Sequence, residues 1–114
     1  MAGRRTLEEY EADLYTVPLP RFFRVEKGEI EIKKYDDGET RLEIKFFGIK
    51  VPDGEAVPVT FDGQFVCQVQ VQRGRGSLEL SAAPGQPVPD VTDGSVAEIQ
   101  YNGQALLRGV FKPD

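Results

Sequence analysis

The 114-residue sequence contains no histidine, no tryptophan and a single cysteine, and each of these absences excludes a kind of chemistry. Without histidine there is no Ser-His or Cys-His nucleophile pair and none of the usual zinc sites. A lone cysteine, Cys67, cannot form an internal disulfide. Without tryptophan the chain lacks the best side chain for stacking on sugar rings. We therefore expect neither an enzyme nor a bound cofactor.

Basic charge and long apolar runs are also scarce. Lysine and arginine number 14 against 19 acids, a net charge of −5, so the chain lacks the net basic face that nucleic-acid binding requires. No apolar run approaches the roughly 20 residues that a membrane-spanning helix needs. The N-terminal residues show no signal-peptide pattern. The expected location is cytoplasmic, with an extracytoplasmic one as the alternative if an export signal was removed.

Residues 6–15 carry the one helical pattern. Thr6 can cap a helix, and Leu7, Tyr10 and Leu14 fall at helical spacing. Proline at positions 18 and 20 would end that helix and keep the chain extended. The pattern predicts an N-terminal arm, residues 1–20, with a short helix that gains order only by docking. Removing residues 1–16 should then leave the rest of the domain folded.

From residue 22 onward the apolar period changes to two, which is typical of half-buried antiparallel strands. Residues 29–33 and 41–46 alternate without error around the turn at residues 36–38. The turn length pairs Ile32 with Leu42 and Ile30 with Ile44. Two further hairpins are predicted at Asp62-Gly63 and Asn102-Gly103, which are strong hairpin signals.

With residues 22–26 and 77–81 as additional strands, the sequence predicts about eight strands in one domain, residues 21–114. The favoured fold is all-β: an immunoglobulin-like two-sheet antiparallel sandwich with the short N-terminal helical arm. A small β-barrel is the alternative.

The two later hairpins resemble each other, which suggests an internal repeat of residues 41–72 and 77–111. Asp53-Gly54 and Asp93-Gly94 precede them, and Gly63-Gln64 corresponds to Gly103-Gln104, always 40 positions apart. Upstream, residues 42–44 resemble residues 78–80, 36 positions apart. In a repeat, each copy would supply one amphipathic face to a shared core. Chance similarity among hairpins with the same turn chemistry is the alternative.

A further pattern lies in the C-terminal half, in residues 76–80, 88–91, Gly94, Asn102-Gly103 and 107–111. It resembles small β-sandwich domains of bacterial, often cell-surface, proteins. The resemblance implies a β-sandwich module, exported in some cases, and carries no catalytic motif.

Cysteine and the loop acids are the remaining candidates for chemistry. Cys67 falls on the same strand face as Phe65, Val69 and Val71, so we expect a buried, inert thiol. Acids such as Asp53, Asp62, Asp90 and Asp93 stand mostly beside turn glycines, where aspartate is favoured for the turn itself. No EF-hand spacing exists, and we expect no metal site.

Aromatic doublets at Phe22-Phe23 and Phe46-Phe47 place one ring of each pair on the outer face of a strand. Exposed aromatic groups mark interfaces, although a bulge that turns Phe47 inward, or coverage of the ring by the N-terminal arm, is the alternative. The sequence therefore predicts a non-catalytic protein-binding or assembly subunit that uses the arm and an outward aromatic face. The predicted partner-binding residues are Leu7, Tyr10, Leu14, Phe22, Tyr35 and Phe47. The resemblance to cell-surface domains implies the alternative, a carbohydrate-binding or cell-surface adhesion β-sandwich module. A row of glutamines at positions 64, 68, 70 and 72 could recognise sugar hydroxyls.

Overall fold

The computed structural model describes residues 4–17, 25–84 and 90–114, and all regular structure within them is β-strand. The strands are β1 (Thr6–Thr16), β2 (Glu26–Tyr35), β3 (Thr40–Phe46), β4 (Ala56–Phe61), β5 (Gln64–Gln70), β6 (Gly76–Ala82), β7 (Val96–Tyr101) and β8 (Gln104–Pro113). No helix of the described residues could cross a membrane.

The eight strands form one antiparallel sheet in the order β5-β4-β7-β8-β1-β2-β3-β6. This sheet curls around a single core into a nearly closed barrel. The prediction of an all-β fold is confirmed, and the small barrel is favoured over the sandwich, which was wrong. The physical reason is β1, which pairs with β8 on one side and with β2 on the other and so joins the strands into one continuous sheet.

The predicted N-terminal helix is also wrong, because residues 6–16 form β1. Ala12 and Leu14 face the core and are fully buried, whereas Asp13 between them is exposed. This segment therefore has a period of two, and the small side chain of Ala12 hides it in the sequence. A helix of this length would be marginal alone, and the strand gains two ladders of hydrogen bonds.

The three predicted hairpins are confirmed. Ile30 lies opposite Ile44 and Ile32 opposite Leu42, as the turn length required. Asp62 and Asn102 both have a φ of 50°, and the glycines after them have φ of 80° and 75°. Two successive residues in the left-handed region define the two-residue turn that best matches strand twist.

Aliphatic side chains from the strands fill the core of the barrel, and β5 and β6 contribute fewer of them than the other strands do. At its centre the rings of Phe61 and Phe111 meet edge to face, with centroids 5.1 Å apart. Val69 is the one fully buried side chain of β5, and β6 has none. The barrel is thus well packed on one side and thin on the side where β5 and β6 lie.

Candidate interaction surface

The two hairpins β4–β5 and β7–β8 make the same backbone hydrogen bonds at positions 40 residues apart. Gly54 N–H donates to the Val71 carbonyl over 2.8 Å, and Gly94 N–H donates to the Phe111 carbonyl over 2.9 Å. Val71 and Phe111 in turn donate to residues 55 and 95, each over 2.8 Å. Both hairpins also hold one extra residue, a β-bulge, at equivalent positions in β5 and β8.

The pairing between these hairpins is symmetric about equivalent residues. Val59 of β4 lies opposite Ile99 of β7, and these two positions are themselves 40 apart. In the same way Glu43 of β3 lies opposite Glu79 of β6, which are 36 apart. Strands β3–β5 and β6–β8 are therefore related by an approximate two-fold rotation. Its axis passes between β4 and β7 and between β3 and β6.

This two-fold is broken on one side of the barrel. Strands β8 and β3 are bridged by β1 and β2, in the order β8-β1-β2-β3. Their counterparts β5 and β6 are the two edges of the sheet, with no strand of the described residues between them. Among the described residues, their pairing is limited to an isolated bridge between Gln72 and Arg75 at the connecting turn. We call this open side, lined by the core-facing side chains of Cys67, Leu78 and Leu80, the β5–β6 seam.

Equivalent side chains differ in exposure across the two-fold. Ile44 of β3 is 0% exposed and its counterpart Leu80 is 41% exposed. Leu107 of β8 is 1% exposed, whereas its counterpart Cys67 is only half-buried. The orientation of the side chains does not explain this difference in exposure, because both members of each pair face the core. The buried members are covered by the β1–β2 hairpin, and the exposed members lie at the seam.

Strand β5 has a β-bulge but lacks charge and proline, the other features that commonly protect an exposed edge. Its seven residues, QFVCQVQ, contain no charge and no proline, and three of them, Phe65, Val66 and Val69, have high β-propensity. Because Val71 donates to the Glu55 carbonyl, ladder alternation turns Val69 and Cys67 N–H toward β4 and leaves those of Gln68 and Gln70 pointing outward. Pro58 opposite Gln68 fits this alternation, since it needs to donate no hydrogen bond there. The edge therefore offers free backbone groups to an added strand.

The bulge in β5 and the seam explain why two expectations about β5 were wrong. Val66 is the extra residue between Cys67, which lies opposite Val59, and Phe65, which lies opposite Thr60. This shift turns Phe65 outward, where it is 57% exposed instead of sharing the core face. Cys67 does face the core, but the seam leaves it half-exposed rather than buried. Burial raises the pKa of its thiol to about 11, so it is a weak nucleophile at neutral pH.

The structure disperses the predicted partner-binding residues. Of those on β1, Leu14 is buried in the core, Tyr10 is half-buried, and Leu7 is exposed. They are not one face of a docking helix. The ring of Tyr35 lies under the Arg4 guanidinium at 3.9 Å, and Arg4 also pairs with Glu39 at 2.6 Å. Phe22 lies outside the described residues.

Phe47 does point outward, with 49% of its side chain exposed and the Lys27 ammonium 5.6 Å from its ring. The residues that follow it pack on the turn between β5 and β6, where Ile49 N–H donates to the Gly74 carbonyl over 3.2 Å. Phe47 therefore lies close to the closed end of the seam. Among the predicted residues it is the one that shares a region of the surface with the seam.

Two clusters of acids lie on the outer face of β1 and β2: Glu9, Glu31 and Asp114, and Glu11, Asp13 and Glu29. Burial raises the pKa of Glu11 to about 7, and a hydrogen bond with Glu29 adds to the shift. Burial, and next a hydrogen bond with Glu9, raises the pKa of Glu31 as well. The raised pKa values mean that Glu11 and Glu31 hold their protons to higher pH than an exposed glutamate does, and most of the side chains in the two clusters remain partly open to solvent.

The similarity of residues 42–44 and 78–80 in the sequence concerns the strands that differ at the seam. The alternation of polar and apolar residues alone does not show which of these strands is covered. The predicted repeat places Leu78 and Leu80 in the roles of Leu42 and Ile44, so the pattern predicts a half-buried strand for both segments. Which of the two segments receives the covering hairpin depends on contacts between distant parts of the chain. No protein-family model, curated protein or solved structure matches the chain.

Proposed function

We propose that this protein is a non-catalytic protein-binding module that takes up an extended strand of its partner at the open edge of β5. The observation that carries this proposal is the exposure of core-facing side chains beside an uncharged edge strand. Natural sheets normally block such edges with charge, proline or a covering segment. An edge left open in this way suits strand addition, in which backbone hydrogen bonds give affinity and alternate side chains give specificity.

The proposal keeps the class of function that the sequence predicted and changes the surface that performs it. Strand β1 is part of the sheet and is not free to dock elsewhere. Phe47, near the closed end of the seam, remains a second contact for the partner. Because the outward side chains of β5 include Gln68 and Gln70, which are neutral, the edge does not repel a partner of either sign.

The test uses affinity capture from native extract with the full chain as bait. We expect Gln68→Pro to abolish capture of a partner that the wild type retains, because proline removes an outward N–H and leaves the ladder with β4 intact. Val110→Thr is the matched control, since Val110 is 44% exposed on the outer face of β8, a strand with neighbours on both sides.

Amide hydrogen exchange on the captured complex completes the test. Protection of β5 amides by the partner is the expected result. Equal capture by Gln68→Pro and wild type would contradict strand addition. Binding of the purified chain to glycans, with no protein partner retained, would favour the carbohydrate-binding alternative instead.

A further inference from the structure

The approximate two-fold of the barrel specifies what fits into the seam. On its covered side, β8 and β3 are bridged by two strands that form a hairpin, and β1 and β2 pair antiparallel with each other and with both neighbours. On its open side, β5 and β6 are the counterparts of β8 and β3. Resting on the proposed function above, we propose that the seam receives a two-stranded β-hairpin of a partner protein, which pairs with β5 and β6 as β1 and β2 pair with β8 and β3.

The direction of the edge strands favours a hairpin over a single strand. Strands β5 and β6 run in opposite directions, because the turn at residues 72–75 joins them. One inserted strand would be antiparallel to one edge and parallel to the other. Two inserted strands are antiparallel to both edges, as is every strand pair that the described residues form. The hairpin thus continues the existing pattern of hydrogen bonds.

Both edges have backbone donors available for such a hairpin. Phe47 N–H donates to the Lys27 carbonyl and Tyr35 N–H to the Glu39 carbonyl, which fixes the alternation of the β2–β3 ladder. By the same alternation Leu42 and Ile44 bond to β6, opposite Leu80 and Leu78. Ser77, Glu79 and Ser81 of β6 are therefore left with outward N–H groups, as Gln68 and Gln70 are on β5.

The chemistry of the partner hairpin follows from what covers the other side. There, Ala12 and Leu14 of β1 and Ile30 and Ile32 of β2 point into the core and are at most 1% exposed. A hairpin at the seam must likewise carry small or branched apolar side chains at alternate positions, to cover Cys67, Leu78 and Leu80. The turn at residues 72–75 closes one end of the seam, so the hairpin enters from the end where Leu80 and Phe65 lie.

The chain itself supplies a probe for this test. A synthetic peptide of residues 4–36 contains the natural occupant of the equivalent position, and it can be labelled and titrated against the full-length chain by fluorescence anisotropy. We expect saturable binding to the wild type. We expect Leu80→Lys, which places a charge in the seam at a side chain already 41% exposed, to weaken binding about tenfold or more. Val110→Lys, on the outer face of β8, should leave binding unchanged.

A proline variant on each edge separates the hairpin from a single strand. Both Gln68→Pro on β5 and Glu79→Pro on β6 should abolish binding, and amide exchange should show protection of both edges. If Glu79→Pro binds normally and only β5 is protected, the hairpin is excluded, while strand addition at β5 stands. If the Leu80→Lys chain binds as well as wild type while its own β1 and β2 lose protection, the peptide is replacing them, and the proposal fails. Absence of binding up to about 1 mM peptide would also overturn it.

Discussion

Single residues in this barrel behave according to their neighbours across the sheet more than according to their type. Glu11 stands on the outer face of β1, where it lies opposite Glu31 and forms a hydrogen bond with Glu29. Water is partly excluded from this face, and a carboxyl group that is poorly hydrated and next to other acids holds its proton more tightly. The result is the raised pKa of Glu11, and it has a consequence for stability.

Replacing Glu11 with glutamine should change how stability depends on pH. The pKa of Glu11 is 4.5 in its ordinary environment and about 7 in the folded chain, so between these values the folded state holds a proton that the unfolded state has released. The contribution of Glu11 to the free energy of unfolding is therefore full at low pH and falls as pH rises from about 4.5 to about 7. Glu11→Gln should remove this fall and stabilise the chain above pH 7 by up to about 1 kcal/mol, because the side chain is partly solvated and water screens the effect.

Urea unfolding of wild type and variant across this pH range measures the difference. Glu26→Gln, which changes an exposed carboxylate at the start of β2, is the control and should run parallel to the wild type. A Glu11→Gln curve parallel to the wild type as well would mean that Glu11 titrates normally.

Among the strands and turns, equivalent positions admit side chains of different size where β1 lies beside one of them. Position 109 in β8 is glycine, and its counterpart in β5 is Val69. A Cβ at position 109 would lie 2.3 Å from the Asp13 carbonyl oxygen of β1, which is too close for any side chain. On the seam side of β5 no strand of the described residues lies alongside, so valine fits at position 69. Positions 109 and 69 therefore differ because β1 lies beside β8 and not beside β5.

Glycine substitutions should separate this steric requirement from turn conformation. Gly63→Ala and Gly103→Ala should cost the same, about 1 kcal/mol each, because both residues have positive φ and an added Cβ would meet nothing within 4 Å. Gly109→Ala should cost about 3 kcal/mol, because β8 and β1 must move apart to admit the methyl group. Chemical denaturation gives all three values, and a mild effect at position 109 would show that β1 does not approach β8 so closely.

These elements also show how far the sequence determines the structure. The hairpins and the register of Ile30 with Ile44 could be predicted, because turn chemistry and alternation are local properties. The nature of residues 6–16 could not, because Tyr10, Ala12 and Leu14 fit a period of two while Leu7, Tyr10 and Leu14 fit a helix. The seam could not be predicted either, since it depends on which distant strands pair. The exposure of Phe47 on the outer surface was predicted correctly, whereas the exposure of the β5 and β6 edges was not predicted.

For the whole molecule, the role of β1 reverses the expectation that the N-terminal residues are dispensable. Deleting residues 1–16 would remove a strand with neighbours on both sides and would uncover the core at β8 and β2 together. We expect this deletion to abolish cooperative unfolding. Point variants give a matched comparison: Leu14→Ala should cost about 3 kcal/mol and Leu7→Ala less than about 0.5 kcal/mol. Thermal melts check both, and equal effects at the two leucines would contradict the strand.

The same pairing of β1 with β8 has a consequence for synthesis of the chain. Tyr10 pairs with Pro113, so on the ribosome β1 can join β2 early but must wait for its second neighbour until β8 has emerged. During that interval β1 is itself a free edge, exposed to other nascent chains. Its acids at positions 8, 9, 11 and 13 repel such neighbours, because like charges disfavour pairing between identical strands. The carboxylates that crowd the outer face of the finished barrel therefore protect the unfinished one.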